Sequence, residues 1–195
     1  MILLAAACLV ASCARSQRFT VNGTLKDAKI VESVDSVLFE SELLTVPVKV
    51  GVTDGAFTFS SKVKKPVIAK MTTPGWNNRT ARLMILEKGD ISFRNGRAVG
   101  TPLNDAVDAF LLHLPEVVRQ HTDGDAEDRV QAVQDAFASF VSDHKDDPCA
   151  VYAIMLASQR LQPDFVQKLI SSASPVIQND GEVVKVKNKM KFMRR

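Results

Sequence analysis

The sequence predicts an α+β fold in which an N-terminal antiparallel β-sandwich or partial barrel is followed by a small α-helical region. From residue 18 to about residue 100, apolar residues recur with a period of two, which is typical of half-buried strands. At Gly100-Thr101-Pro102 the apolar spacing changes to three and four residues, which is typical of amphipathic helices. With 46% hydrophobic and 24% charged residues, the composition is that of an ordinary globular domain.

Short apolar segments bounded by Gly, Pro, Asn or Lys predict about seven strands before residue 100. Within this region, Asp54-Gly55 predicts a tight turn, because an Asp-Gly pair readily adopts positive φ. Strands at this spacing favour an antiparallel sandwich or barrel. The predicted strands lie at residues 19–25, 37–39, 46–50, 57–59, 67–71, 83–86 and 91–93.

Four helices are predicted after residue 100. The first has Thr101 as its N-cap and Pro102 at its first position, and Pro115 is expected to kink or end it. The second follows residues 123–125, the third begins with Asp147 capping Pro148, and the fourth begins near residue 163. The residues predicted to face inward are Leu103, Val107, Phe110, Leu111, Leu114 and Val118; Val130, Val133, Phe137, Phe140 and Val141; Val151, Ile154 and Met155; and Phe165, Leu169 and Ile170.

The net charge of +3 is distributed unevenly along the chain. Residues 182–195 hold six Lys or Arg and one Glu, whereas residues 104–147 hold eleven Asp or Glu and three Lys or Arg. Because the basic residues belong to the C-terminal end and not to a face of the domain, we predict no nucleic-acid partner. The periodicity of residues 182–195 fits a strand and a helix equally well. We expect residues 177–195 to form a solvated basic tail or linker, and contact with anionic lipid headgroups is the alternative.

An apolar segment at residues 1–9 is followed by Val10-Ala11-Ser12-Cys13. The segment is too short to span a bilayer, but it has the length of a signal-peptide core. The four residues resemble the lipobox of bacterial lipoproteins, although no Lys or Arg precedes Arg15. The resemblance implies cleavage before Cys13 and attachment of lipid to its thiol. The alternative is that residues 1–12 form a buried strand or helix end.

These features predict five segments and a location. Residues 1–12 are the signal peptide, residues 13–17 the lipidated tether and residues 18–100 the β-sandwich domain. Residues 101–176 are the helical region, and residues 177–195 the basic tail. We expect the protein in the cell envelope, anchored by lipid to a bacterial membrane, at the outer membrane or the periplasmic face.

The cysteines offer little redox chemistry. Cys8 leaves with the predicted signal peptide and Cys13 is consumed by lipid, so Cys149 is the remaining thiol and cannot form an internal disulfide. No C-x-x-C motif is present. The start of a helix would lower the pKa of Cys149, but its apolar neighbours favour burial in the core. An exposed Cys149 would instead allow a disulfide-linked dimer.

The histidines predict no catalytic or metal site. His113, His121 and His144 do not pair with another ligand at the i, i+4 spacing of zinc-binding helices. His144 lies close to several Asp residues that would bind a cation weakly, and a helix end capped by Asp147 is the favoured alternative. We therefore predict no catalytic residue, no metal and no cofactor, and we expect that the protein is not an enzyme.

Two surface features are candidates for contact or modification. Trp76 lies in a predicted loop with Asn77 and Arg79, and these side chains would stack on a sugar ring or bind a partner. Packing of Trp76 over the edge of the sandwich is the alternative. Ser36, in Asp35-Ser36-Val37, resembles the acceptor of a bacterial O-glycosylation tripeptide.

Four phrases together resemble a known family. They are Phe19-x-Val21-x-Gly23, Val52-Thr53-Asp54-Gly55-x-Phe57-x-Phe59, Ile85-Leu86-Glu87-Lys88-Gly89-x-Ile91 and Gly100-Thr101-x-x-Asn104-Asp105. The family is the domain of unknown function found N-terminal to thioredoxin-like (alkyl hydroperoxide reductase / thiol-specific antioxidant) domains in envelope lipoproteins of Gram-negative bacteria. The resemblance covers residues 18–110 well, and it implies the accessory domain alone because this sequence has no redox cysteine pair.

We therefore expect a non-catalytic binding or scaffolding lipoprotein. Its expected partners are the membrane, through the N-terminal lipid, and a thioredoxin-like or other envelope protein. One alternative is a component of a thiol–disulfide or peroxide-reducing system whose redox domain is missing or separately encoded. Another is a glycan-binding envelope lipoprotein that uses Trp76.

Overall fold

The predicted α+β fold is confirmed by a computed structural model, which describes residues 17–25, 34–73, 81–121 and 125–193. These residues form eight strands followed by six helices. The strands are β1 Gln17–Thr24, β2 Ser36–Ser41, β3 Val48–Gly51, β4 Ala56–Val63, β5 Val67–Thr72, β6 Arg82–Leu86, β7 Gly89–Arg94 and β8 Arg97–Val99. The helices are α1 Pro102–Gln120, α2 Ala126–Asp143, α3 Pro148–Ala157, α4 Pro163–Ser172, α5 Pro175–Gln178 and α6 Gly181–Met193.

The strands form two four-stranded sheets. The outer sheet has the order β4-β1-β7-β8, and the inner sheet has the order β3-β2-β5-β6. All neighbours are antiparallel except β1 and β7, which run parallel with Phe19 opposite Gly89. The pairing of β1 with β7 therefore departs from the expected antiparallel pattern. After β6, the chain crosses from the inner sheet back to the outer sheet, and β7 pairs there with β1.

The facing sides of the two sheets bury a core rich in phenylalanine. The rings of Phe19 and Phe59, on neighbouring strands of the outer sheet, meet edge to face with their centroids 5.4 Å apart. Phe39, from the inner sheet, packs against Phe59 at 4.8 Å. Such pairs add about 0.5–1.5 kcal/mol to the energy of burial. These contacts hold the two sheets together as a sandwich.

Strands β5 and β6 of the inner sheet are covered on both faces, so the molecule has three layers at this place. Ala69 and Met84 face the outer sheet, while Ile68 and Ile85 belong to the core beneath the helices. Helices α3, α1 and α6 supply much of that second core. Strands covered on both sides are typically continuous apolar segments. This explains the continuous apolar residues 67–69 of β5 and 83–86 of β6.

Two short turns have the geometry that Asp-Gly and Asn-Gly pairs favour. Asp54 and Gly55 have φ of 51° and 73°, so the predicted tight turn is confirmed. Asn95 and Gly96, between β7 and β8, have φ of 53° and 73°. Two successive positive φ values define the type I′ hairpin turn, for which Asn-Gly is a strong sequence signal. The sequence analysis missed this second turn and with it strand β8.

Helix α1 does not end at the proline inside it. It continues five residues past Pro115 to Gln120. A proline within a helix removes one backbone hydrogen bond, but α1 packs against α2 and α3, and that packing keeps the last turns helical. Beyond the proline, Val117 is the buried residue and Val118 is 44% exposed, which corrects the predicted inward position of Val118. Val130, at the start of α2, is also exposed.

The starts of the third and fourth helices are confirmed. Asp147 is the N-cap of α3, and its carboxylate accepts a hydrogen bond of 2.8 Å from the backbone N–H of Cys149. Pro148 takes the first helical position, where its missing N–H costs nothing. Helix α4 likewise begins at Pro163.

The C-terminal basic segment is a helix in the described residues and not a solvated linker. In α6, Val183 is fully buried, and Val186 and Met190 are also buried in the core beneath the inner sheet. Glu182 accepts a hydrogen bond of 2.6 Å from Lys70 of β5, which ties α6 to the inner sheet. The helical spacing of these apolar residues prevails because it buries them while the lysines stay at the surface.

A buried side-chain amide joins strand β6 to helix α1. Asn104 accepts a hydrogen bond of 3.0 Å from the backbone N–H of Ile85 and donates one of 2.7 Å to the carbonyl of the same residue. Strand β6 lies at the edge of the inner sheet. The amide therefore binds the free edge of β6 as a neighbouring strand would. Its nitrogen also donates to the hydroxyl of Thr101.

The carboxylate of Glu87 caps the first turn of α1. One oxygen of this buried side chain accepts hydrogen bonds from the backbone N–H groups of Leu103 and Asn104, at 2.8 and 3.1 Å. An acid at this place satisfies free N–H groups and interacts favourably with the helix dipole. We call Glu87, Thr101 and Asn104 the β6–α1 interlock.

We expect Asn104→Leu to lower the free energy of unfolding by about 3 kcal/mol, because two buried backbone groups of Ile85 lose their partner. Urea unfolding followed by circular dichroism measures the change. Asn188→Leu, at an exposed position of α6, is the matched control and should change stability by less than about 0.5 kcal/mol. Equal changes in the two variants would show that the interlock does not stabilise the fold.

Candidate functional site

A cleft of about 320 Å³ lies where the inner sheet meets the helices. We call it the junction cleft. Its apolar lining comes from Pro66, Leu103, Pro148, Val151, Val176 and Ile177. The charged groups around it are Glu42, Asp146, Asp147 and Asp180, with Lys65 as a cation. An apolar cleft with a few convergent polar groups is the usual form of a binding site.

Turns and helix starts place the charged groups of the cleft. Glu42 follows β2, and its carboxylate accepts a hydrogen bond of 3.0 Å from the backbone N–H of Gly181 at the start of α6. Lys65 lies in the turn between β4 and β5. Asp147 and Asp180 cap α3 and α6, and Asp180 accepts a hydrogen bond of 2.9 Å from the N–H of Glu182. The capping groups of two helices therefore converge on one cleft.

The electrostatics of the cleft favour a cation. Burial raises the pKa of Asp180, and the negative charges of Glu42 and Glu182 raise it further, against hydrogen bonds from the backbone. The charged carboxylate is thus poorly solvated and has acidic neighbours. A positive group in the cleft would stabilise it. Carboxylates beside an apolar surface fit a cationic group carried on an apolar stem.

Cys149 is buried at the start of α3, as the sequence analysis favoured. Its thiol donates a hydrogen bond to the carbonyl of Leu103, with sulfur and oxygen 3.5 Å apart. Burial raises the pKa of the thiol well above its usual range, and the nearby charges of Asp147 and Glu87 add to the increase. These effects outweigh the favourable start of the helix, so the reactive thiolate is strongly disfavoured.

His144, Asp147 and Cys149 form a small cluster whose ligand atoms all lie within 4.8 Å of one another. The ring nitrogen Nδ1 of His144 is 2.9 Å from one oxygen of Asp147, while the other oxygen caps α3. The ring of His144 also packs on Phe140, with centroids 4.6 Å apart. Asp, His and Cys are zinc-binding residue types, but here Asp147 bonds to His144 and caps α3, and the thiol of Cys149 bonds to the carbonyl of Leu103. The predicted capping by Asp147 is confirmed.

The other sequence-predicted site residues divide into two groups. Ser36 is 1% exposed, and its hydroxyl donates a hydrogen bond of 2.6 Å to Asp35, so it is closed to a glycosylating enzyme in the folded chain. The remaining candidates lie outside the described residues. They are the lipobox residues Val10, Ala11 and Ser12, the lipidation residue Cys13, and the contact residues Trp76, Asn77 and Arg79.

The junction cleft was not predicted from the sequence, because its residues come from five separate parts of the chain. Its local sequence signals are two charged residues that each directly precede a proline, in Lys65-Pro66 and Asp147-Pro148. Such steps mark turns and helix starts, but they do not show which of these meet in space.

Comparison with known proteins finds no matching family, no matching curated protein and no matching solved structure. The resemblance to the thioredoxin-associated domain therefore stays a prediction carried by its four phrases. Two of these phrases contain the β6–α1 interlock, which gives Glu87, Thr101 and Asn104 a structural role. Among the described helices, none is both long enough and apolar enough to cross a membrane.

We expect Cys149 to react with Ellman's reagent about 100-fold more slowly in the folded protein than in urea, because reaction requires local opening. The chain carries Cys8→Ser and Cys13→Ser, so that Cys149 is its remaining thiol. Release of thionitrobenzoate gives the rate. An exposed thiol, Ser142→Cys in a Cys149→Ala background, is the control. If Cys149 reacts as fast as that control, the thiol is accessible in the folded protein.

Proposed function

We propose that the chain is a lipid-anchored, non-catalytic binding module of the bacterial cell envelope, and that its ligand occupies the junction cleft. The observation that carries the binding role is the cleft itself, which combines an apolar lining with four carboxylates and one lysine. The lipobox-like Val10-Ala11-Ser12-Cys13 supports the anchor.

The hydrogen bonds of Cys149, Asp147 and Glu87 support a binding role over a catalytic one. Catalysis by a nucleophile needs a base within hydrogen-bond reach and a thiol or hydroxyl that can ionise. Cys149 faces a backbone carbonyl, and its neighbour Asp147 is committed to a helix cap. Glu87 is committed to the first turn of α1. These groups hold the helices in place, which supports a structural role for them and a binding role for the cleft.

The ligand class that fits the cleft is a basic peptide segment of a partner protein. A lysine or arginine side chain offers a positive head to the carboxylates and a methylene stem to the apolar lining. Val176, which is 70% exposed at the cleft, is free to contact a neighbouring apolar residue of such a segment. A thioredoxin-like envelope protein with a basic segment is one such partner. The buried Cys149 gives no support to redox activity of this chain itself.

Lipidation is tested on the protein produced in a bacterium that processes lipoproteins. We expect mass spectrometry of the mature N-terminal peptide to find it beginning at Cys13, with a diacylglyceryl thioether and an acylated amine. Cys13→Ser should move the protein from the membrane fraction to the soluble fraction. The matched control, Cys8→Ser, should stay in the membrane fraction. An unmodified Cys13 would refute the anchor without bearing on the cleft.

Binding in the cleft is tested by nuclear magnetic resonance, with the peptide acetyl-Leu-Lys-Leu-amide as the probe. We expect millimolar binding that shifts the amide signals of Val151 and Ile177. Asp146→Asn should weaken binding about fivefold, because an exposed charge pair contributes up to about 1 kcal/mol. The matched control is Asp143→Asn, an exposed acid of α2 that does not line the cleft.

Charge reversal of the probe decides the ligand class. Acetyl-Leu-Glu-Leu-amide should leave the signals of the cleft unchanged. If the acidic peptide shifts the same signals equally, or if Asp146→Asn and Asp143→Asn bind alike, the cleft does not select a basic segment.

A further inference from the structure

Three cations form a row across the outer sheet at the end where the described chain begins. Arg18 of β1 lies directly opposite Lys62 of β4 in the antiparallel ladder. On the other side of β1, Lys88 directly precedes Gly89, the partner of Phe19, and so lies beside Arg18. All three side chains are exposed. We call Arg18, Lys62 and Lys88 the basic row.

The basic row is electrostatically unfavourable in the protein alone. Like charges directly opposite each other in a sheet are destabilising. Within the described residues, no ion pair or hydrogen bond to an acid relieves any of the three. Asp90 lies in the next row, opposite Thr20, and makes no ion pair with Arg18. Arg18 and Lys62 are such a pair of like charges, and together with Lys88 they leave this end of the sheet able to attract an anionic partner.

The positive charge extends around this end of the sandwich. Lys64 and Lys65 follow Lys62 in the turn between β4 and β5, and both are exposed. In the next row of the outer face, Thr20 and Ser60 form a hydrogen bond of 3.1 Å between their hydroxyls. The row next to the three cations therefore carries hydroxyl groups and not further cations.

The basic row lies close to the predicted lipid anchor. Gln17 begins β1 next to Arg18, and Cys13 lies four residues before Gln17 in the sequence. Four residues span at most about 14 Å, because an extended chain advances by no more than about 3.6 Å per residue. A lipid on Cys13 would hold the start of β1 near the headgroups, where electrostatic attraction acts over about 8–10 Å.

We propose that the basic row is a membrane-contact surface that binds the anionic headgroups of the phospholipid bilayer and orients the sandwich on it. The orienting role rests on the proposed anchor at Cys13, whereas the affinity for anionic lipid belongs to the folded domain. The expected partner is a bilayer surface, because the row is exposed and lies beside the start of β1, close in sequence to the proposed anchor.

Helix α6 is the competing basic surface, and its cations are partly engaged. Lys185 donates to Glu182 at 2.6 Å, and Lys187 donates to the carbonyl of Gln178 at 2.7 Å. The exposed Lys189 and Lys191 carry no such bond in the described residues. The observations therefore favour the basic row over α6.

The test measures sedimentation with vesicles made of equal parts phosphatidylglycerol and phosphatidylcholine. The protein is the chain 13–195 with Cys13→Ser, which carries no acyl chain and keeps every described element, since the first begins at Gln17. We expect the triple variant Arg18→Gln/Lys62→Gln/Lys88→Gln to partition into these vesicles about 100-fold less than the parent chain. Raising the salt concentration should weaken the binding of the parent chain, and pure phosphatidylcholine should not bind it.

A second triple variant is the matched control, because it removes the same number of charges from the helical layer. Lys168→Gln/Lys189→Gln/Lys191→Gln changes three exposed positions and should bind nearly as well as the parent chain. Equal loss in both triples, loss in the control alone, or no binding by the parent chain would each overturn the proposal. Circular dichroism and urea unfolding verify that both variants are folded. Because no lipid is attached to this protein, a negative result does not bear on the anchor at Cys13, which mass spectrometry of the mature N-terminus tests separately.

Discussion

The rest of the structure depends on the β6–α1 interlock, in which a buried amide and a buried carboxylate join the sandwich to the helices. Asn104 binds both backbone groups of Ile85 at the free edge of the inner sheet, and Glu87 caps the helix that carries Asn104. A buried polar network of this kind stabilises a fold only when all its groups are bonded. Here each partner satisfies groups on the other element, so strand and helix are fixed together.

The fixed position of α1 also affects the thiol of Cys149 and the lining of the junction cleft. The carbonyl of Leu103, in the first turn of α1, accepts the hydrogen bond of the Cys149 thiol, and Leu103 also lines the junction cleft. The charge of Glu87 adds to the increase in the pKa of that thiol. By capping α1, Glu87 therefore positions Leu103 in the lining of the cleft, and its charge disfavours the thiolate form of Cys149. Glu87 and Cys149 are of residue types that often act in catalysis, but here they help to hold the helices against the inner sheet.

The sequence predicted what depends on local patterns and missed what depends on long-range contact. Alternating apolar residues predicted β1, β4 and β7 of the outer sheet but not β8, and Asp147-Pro148 predicted the start of α3. The solvated tail was wrong for α6. The spacing of its apolar residues fitted a strand and a helix equally well, and the helix forms because it buries those residues in the core beneath the inner sheet. Of the site, Asp147 and Cys149 were foreseen as a cap and a buried thiol. The cleft was not, because Glu42 and Asp180 meet only after folding.

The basic row and the junction cleft carry opposite charges, and each limits how the domain can lie on an anionic surface. The basic row lies on the outer sheet, whereas the acidic cleft lies between the inner sheet and the helices, one layer away. An anionic bilayer attracts the first and repels the second. If the domain is tethered beside β1, the proposed contact through the basic row places the outer sheet, and not the carboxylates of the cleft, against the headgroups. In that orientation the carboxylates stay accessible to a basic segment, and anionic lipid does not compete with them.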